Sequence, residues 1–216
     1  VNTLLSLLSA CVLALALTPA AATAATPVAG TDYVTIDNGQ PYAPLNGKVE
    51  VVEVFGYWCP HCAEFQPELS AWTHRLPADV RFTTVPAVFT DGDPLARAYF
   101  AAEHFHVLSA VHDAIFQSIH GDNTLPQNPS VDEIAAWFGA HGLDAAKAKT
   151  YMLSAPVEAR LEYARQFALR SGVEGTPTLI INGRYRITAS THEQGLRTAS
   201  ALIDSLRVGA HRPTHS

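Results

Sequence analysis

Glu53-Val54-Phe55-Gly56-Tyr57-Trp58-Cys59-Pro60-His61-Cys62 joins two different hydrophobic periods. Upstream, Val49, Val51, Val52, Val54 and Phe55 form the nearly continuous apolar run of a strand buried on both faces. Downstream, Cys62, Phe65, Leu69 and Trp72 recur at helical spacing. A strand therefore runs into a helix that opens on two cysteines. Pro60 suits the first helical position, because the N–H it lacks would have no partner there. Cys59 then stands where free backbone amides and the positive end of the helix dipole favour an anion, and for a cysteine that anion is the thiolate. His61, when protonated, adds a cation in the same turn. Both effects lower the pKa of Cys59 and help it leave from a mixed disulfide.

Cys-x-x-Cys also makes half of a tetrahedral zinc site, but zinc needs a second pair of ligands and the chain offers none at suitable spacing. The ten histidines do not change this: His104, His106, His112 and His120 are scattered over predicted helices with no cysteine or paired acid beside them. No metal is expected. Two inert core cysteines fit the context less well than redox chemistry does, since a strand precedes the pair and a helix follows it. Glu53, in the middle of the apolar strand, should be desolvated and its pKa raised unless a partner intervenes. Such a carboxyl can relay a proton for Cys62; a carboxylate held by structural hydrogen bonds is the alternative. Glu50, near the start of the strand, reads as a solvent-facing residue. Tyr57 and Trp58, beside the reactive thiol, read as the lining of an apolar groove for unfolded peptide.

Residues 1–24 carry no charged side chain, and an apolar run from Leu4 to Leu17 leads into Pro19 and a small-residue stretch. This is the pattern of a secretory signal, with cleavage after Ala22 or Ala24, and the run is too short for a comfortable membrane span. Leu8-Ser9-Ala10-Cys11 offers lipid anchoring at Cys11 as a minor alternative, although the residues after it stay apolar. Once the signal is removed only Cys59 and Cys62 remain, so no structural disulfide framework is expected in an oxidising compartment. A formal net charge of −6 with no basic cluster argues against nucleic acid, and 48% apolar residues suffice for a real core.

Thr31 to Gly47 is turn-rich, punctuated by Asn38-Gly39 and Asn46-Gly47. The helix after the cysteines should reach about His74 with a kink at Pro67, and Val80 to Val88 is the next strand, its regular pairing ended by Pro86. From Asp91 the period becomes helical. Asp93-Pro94 caps a helix to about His104; Leu108, Val111, Ile115 and Ile119 form the stripe of another, stopped by Gly121. Ser130-Val131-Asp132-Glu133 is a capping box opening a third, ending near His141-Gly142. Asp144 to Leu153 makes a fourth, and Pro156 starts a longer one with Val157, Leu161, Ala164 and Ala168 buried. Leu179-Ile180-Ile181 and Arg184 to Ile187 then flank Asn182-Gly183, a hairpin signal. Thr191 to Gln194 is a second capping box, and Leu196, Ala199, Ile203 and Leu206 give the last helix its buried face. The order is that of an α/β, thioredoxin-like fold with an inserted helical domain. The expected division is 1–24 signal, 25–91 first part of the thioredoxin-like domain, 92–160 insertion and 161–216 second part.

With these elements in place, the sequence resembles the DsbA family of periplasmic thiol:disulfide interchange proteins. Cys59-Pro60-His61-Cys62 carries that family's usual dipeptide between the cysteines, and Gly175-Thr176-Pro177 is similar to its cis-proline loop. Asn182-Gly183-Arg184-Tyr185 and the acid six residues before the first cysteine, Glu53, match as well. The resemblance implies a monomeric oxidase that gives its Cys59–Cys62 disulfide to newly exported, cysteine-containing proteins. It implies no cofactor beyond that disulfide, and a membrane quinone reductase of the DsbB type as the reoxidising partner. Cys59 is expected to attack and Cys62 to resolve, with Thr176 and a cis Pro177 presenting backbone to the client. A disulfide isomerase or reductase of the same fold, or a secreted peptide-binding, chaperone-like protein, are the alternatives. No dimerisation module of the isomerase kind precedes the first strand, which favours the oxidase. Two positions depart from the family pattern: Thr84 stands where its best-known member has a lysine paired with the buried acid, and Thr176 replaces a valine. The Thr176 hydroxyl can reach the sulfurs or the client backbone. Arg81 lines the same face as Thr83.

Overall fold

The structure, a computed structural model, describes residues 26–90 and 92–210; the expected signal with its cleavage positions and Cys11 lies outside them. Its centre is β2 (Val49–Phe55), whose seven residues are all buried. This strand runs parallel to β3 (Val80–Pro86) on one side and antiparallel to β4 (Thr178–Ile181) on the other. With β1 (Tyr33–Thr35) and β5 (Tyr185–Ile187) it forms a five-stranded sheet of order β1-β5-β4-β2-β3. Alternate side chains of β2 serve two separate cores, as the two-residue period of a strand requires. Val51 packs with Phe65, Leu69 and Trp72 of α1 (Pro60–Thr73) and with Leu196, Ala199 and Ile203 of α7 (His192–Ala210). Val52 and Val54 open into a larger cluster that includes Phe100, Phe138, Leu161 and Phe167. Each such fully buried side chain stabilises the fold by roughly 1.5–3 kcal/mol.

Between β3 and β4 lie α2 (Pro94–His104), α3 (Leu108–Phe116), α4 (Val131–Ala140), α5 (Ala145–Met152) and α6 (Ala155–Arg170). Their starts are written in local chemistry. Asp93 accepts from the amides of Leu95 and Ala96, Ser130 and Glu133 form both bonds of the capping box, and Asp144 accepts from Lys147 N. The α6 helix runs unbroken across residue 160, so the boundary expected there falls inside a helix. Asn182 and Gly183 both have positive φ, 51° and 64°, the pair of left-handed residues a two-residue hairpin demands.

Three local expectations change. Glu50 does not face solvent: it is wholly buried, accepts from the amides of Tyr42 and Ala43 at 2.7 and 3.0 Å, and pairs with Arg81 at 2.5 Å. Both faces of this central strand are covered, and the turn-rich segment before it folds back to supply the donors. The Thr191 box is only half made. Thr191 Oγ1 accepts from Gln194 N, but the Gln194 side chain bonds Ser190 and Asp32 instead of closing the box. Finally, α3 does not run as one regular helix to Gly121; its last turn, Gln117–Gly121, is a π-helix, with Asp122 N donating to Gln117 O at 2.9 Å.

Candidate active site

Cys59 is the N-cap of α1, with extended backbone (φ −84°, ψ 117°) and Pro60 at the first helical position. A turn closed by Cys59 N donating to Gly56 O at 3.0 Å delivers it there from the end of β2. Both cysteines are free thiols, so this is the reduced state. Cys59 retains 4% of its surface and Cys62 none, in keeping with one residue at the helix mouth and the other a turn inside. As a thiol, Cys59 Sγ donates to Thr176 O at 3.3 Å. The Thr176 hydroxyl is buried close by with no other hydrogen-bond partner, which leaves it to serve the Cys59 thiolate.

The Cys59 pKa is pulled down to about 5, first by the Cys62 thiol donating to it, then by the Thr176 side chain and the helix-start amides of Cys62 and His61, against the opposing effect of burial. Cys62 moves the other way, far above its ordinary value, because it donates to Cys59, is desolvated and lies near Glu53. The pair is thus divided into one thiolate and one held proton. His61 contributes its backbone amide; its ring is 71% exposed and lies 3.3 Å from Glu64.

Glu53 is buried as expected, and its pKa is raised to about 8 by desolvation first and by the Cys59 charge second. Its Oε2 has no hydrogen-bond partner. Thr84 lies directly across the parallel ladder from it. Where a lysine would bring a cation, the Thr84 hydroxyl instead pairs with the Tyr99 hydroxyl at 2.9 Å, and Tyr99 donates to Thr84 O at 2.8 Å. Arg81 is committed to Glu50.

The Thr176–Pro177 peptide bond is cis. Beside it a groove of about 330 Å³ is lined by His61, Phe65, Thr176, Pro177, Leu179 and Ile187. Tyr57 does not reach any such groove: it is 1% exposed, packed edge-on against Phe55 and Phe116, with its hydroxyl on His112. Its alternating partner Trp58 stays half-buried, lies over Gly56, where a Cβ would meet the indole at 2.7 Å, and packs on Phe89, which is 53% exposed. Leu179 and Ile187 in the groove, and Phe89 against Trp58, carry no signal as site residues in the sequence, because surfaces formed by distant segments leave no local spacing. Among the described residues no group of three His, Cys, Asp or Glu is placed to hold a metal ion.

A strand that feeds a Cys-x-x-Cys helix, faced by a cis-proline loop, defines a thioredoxin-fold protein whose redox group is its own cysteine pair, a thiol:disulfide oxidoreductase needing no external cofactor. The thioredoxin family model matches residues 38–204. The chain is 34% identical over 188 residues to the thiol:disulfide interchange protein DsbA of Pseudomonas aeruginosa, covering 85% of this chain and 88% of that one. It is 37% identical over 183 residues to DsbA of Azotobacter vinelandii, with 82% and 84% covered. The crystal structure of oxidoreductase DsbA from Xylella fastidiosa superposes with a TM-score of 0.82 at 44% identity, covering 85% of this chain and all of that one. The chain belongs to the DsbA family of thiol:disulfide interchange proteins.

Proposed function

We propose that this protein works in the periplasm as an oxidase of newly exported, unfolded proteins, and that Cys59 is its attacked and later departing sulfur. In the oxidised form a client thiolate attacks Cys59 Sγ and forms a client–Cys59 disulfide, while the Cys59–Cys62 bond breaks. Cys62 leaves as a thiolate and takes a proton from Glu53, whose raised pKa keeps the carboxyl largely protonated at neutral pH. A second client thiolate then attacks the client sulfur of the mixed disulfide. Cys59 departs as a thiolate, and the client holds a new disulfide. Two electrons have passed to the cysteine pair, and a membrane quinone reductase of the DsbB type takes them on to a quinone. The Thr176 carbonyl, which receives the Cys59 thiol in the free protein, is placed to accept a backbone N–H of an extended client. Residues 92–160 act in this reading as a helical cover on the redox domain.

The observation that carries this direction of reaction is the position of Cys59 at the helix start, with Cys62 Sγ–H, the Thr176 side chain and two helix amides all turned to one sulfur. A thiolate gains these contacts and a neutral disulfide does not, so reduction is downhill and the disulfide is a strong oxidant. Titration of the protein against glutathione tests it. A reduction potential in the oxidising range, above that of the glutathione pool, is expected; one near that of thioredoxin would make the protein a reductant.

A further inference from the structure

Tyr57 lies two residues before Cys59, and both of its polar ends are held by histidines from outside the strand and helix that carry the motif. The phenol pairs with His112 Nδ1 at 2.8 Å, and the backbone carbonyl lies 2.7 Å from His120 Nε2. A carbonyl only accepts, so His120 Nε2 carries the proton and donates it, in the neutral and the protonated ring alike. In a regular α-helix two successive steps of four residues drift by about 40° each, which would carry His120 well round from His112. The wider i→i+5 turn at Gln117–Gly121 offsets that drift. His112 and Phe116 both pack against the Tyr57 ring while His120 reaches its carbonyl. The π-turn is itself held in place, with the Trp137 indole of α4 donating to Ser118 Oγ at 2.9 Å.

We propose that His120, presented by this π-turn, is a positioning residue for the thiol chemistry, fixing through the Tyr57 carbonyl the turn that sets Cys59 on the start of α1. The inference rests on the reading of Cys59 as the stabilised thiolate. Tyr57 is almost wholly buried, so its carbonyl has no water to turn to when His120 is lost. The 57–58 peptide must then rotate toward another donor. That rotation loosens the Gly56–Cys59 turn and moves the sulfur off the amides of His61 and Cys62. The helical insertion would thus form part of the redox centre's scaffold, acting through one hydrogen bond.

The test is an ultraviolet thiolate titration of the reduced protein, with the client-peptide oxidation rate measured alongside, for His120→Ala, His120→Asn and His120→Gln. Gln places an amide N–H where Nε2 stood, whereas the donor of Asn falls a bond short in a site still filled and polar. The Cys59 midpoint should rise by roughly half to one pH unit in the Ala and Asn variants, with oxidation several-fold slower, and return to the parent value in the Gln variant. Asn serves where Ala fails to fold. An unchanged midpoint in Asn and Ala overturns the proposal, as does an equal rise in all three, which would assign the effect to the ring and not to the donated proton. A parent protein with no low-midpoint thiol would defeat the thiolate reading itself, a result distinct from either.

Discussion

Cys59 and Cys62 differ by one helical turn and carry opposite protonation, because the helix start supplies donors to the first and the second donates to it. Cys62→Ser should therefore accumulate client–Cys59 mixed disulfides, visible by non-reducing electrophoresis, and Cys59→Ser should accumulate none; the reverse pattern would exchange the two roles. Glu53 carries a separate expectation. With its pKa near 8 it is an acid at neutral pH, so Glu53→Gln should slow the departure of Cys62 by about tenfold or more and abolish the rate dependence centred near pH 8, followed by stopped-flow fluorescence. The same shift affects stability. A carboxyl whose folded pKa is raised holds its proton more tightly when folded, so it destabilises the fold increasingly from about pH 4.5 to about pH 8. Urea melts of Glu53→Gln should accordingly show a gain over the parent above pH 8 that disappears near pH 4.5.

Among the elements, β2 carries the largest difference between pattern and structure. Glu50 and Glu53 look alike in sequence, two acids in one apolar strand, yet they alternate faces and meet opposite surroundings. Glu50 is saturated by two amides and Arg81, whereas Glu53 has an unpartnered oxygen near a thiol. Removing Glu50 leaves two part-buried amides without their acceptor and takes the carboxylate from Arg81, which keeps only the Ala43 and Pro44 carbonyls. Glu50→Ala should lower stability by about 3 kcal/mol with the thiol midpoint unmoved, measured by thermal melting and thiolate absorbance. The β4–β5 hairpin makes a parallel case. A Cβ at Gly183 would lie 2.0 Å from the Gln40 carbonyl oxygen at a φ of 64°, so backbone approach and left-handed conformation both demand glycine there. Gly183→Ala should cost at least about 1 kcal/mol in urea melts.

For the molecule as a whole, the pKa of Cys59 sets how stability differs between the redox forms. Its folded value, about 5, lies below its ordinary value near 9. A depressed acid contributes stability that is complete above pH 9 and is lost as pH falls toward 5. The disulfide form has no such thiol. Reduced protein should therefore gain on oxidised protein in parallel urea melts as pH rises from near 5 to near 9, with the reduced form the more stable at neutral pH. A disulfide form that melts later there would contradict the oxidase reading.

The redox motif, its helix, the caps at Asp93, Ser130 and Asp144, and the Asn182-Gly183 hairpin were legible in the chain because each is set by neighbours within a few residues. Local hydrogen bonds and backbone preferences suffice for them, and they carry most of the fold and both cysteines. The alternation of β2 was legible only as a continuous apolar run. Which acid found partners was settled by segments far away, the 42–43 turn and Arg81 for Glu50 and none for Glu53 Oε2. The π-turn had no signature in a stripe that reads as regular helix to Gly121. Its register matters through contacts with Tyr57, more than sixty residues earlier in the case of His120. Burial of Tyr57, the Trp58–Phe89 patch and the groove beside Pro177 likewise come from packing between distant elements, which periodicity along one strand or helix does not encode.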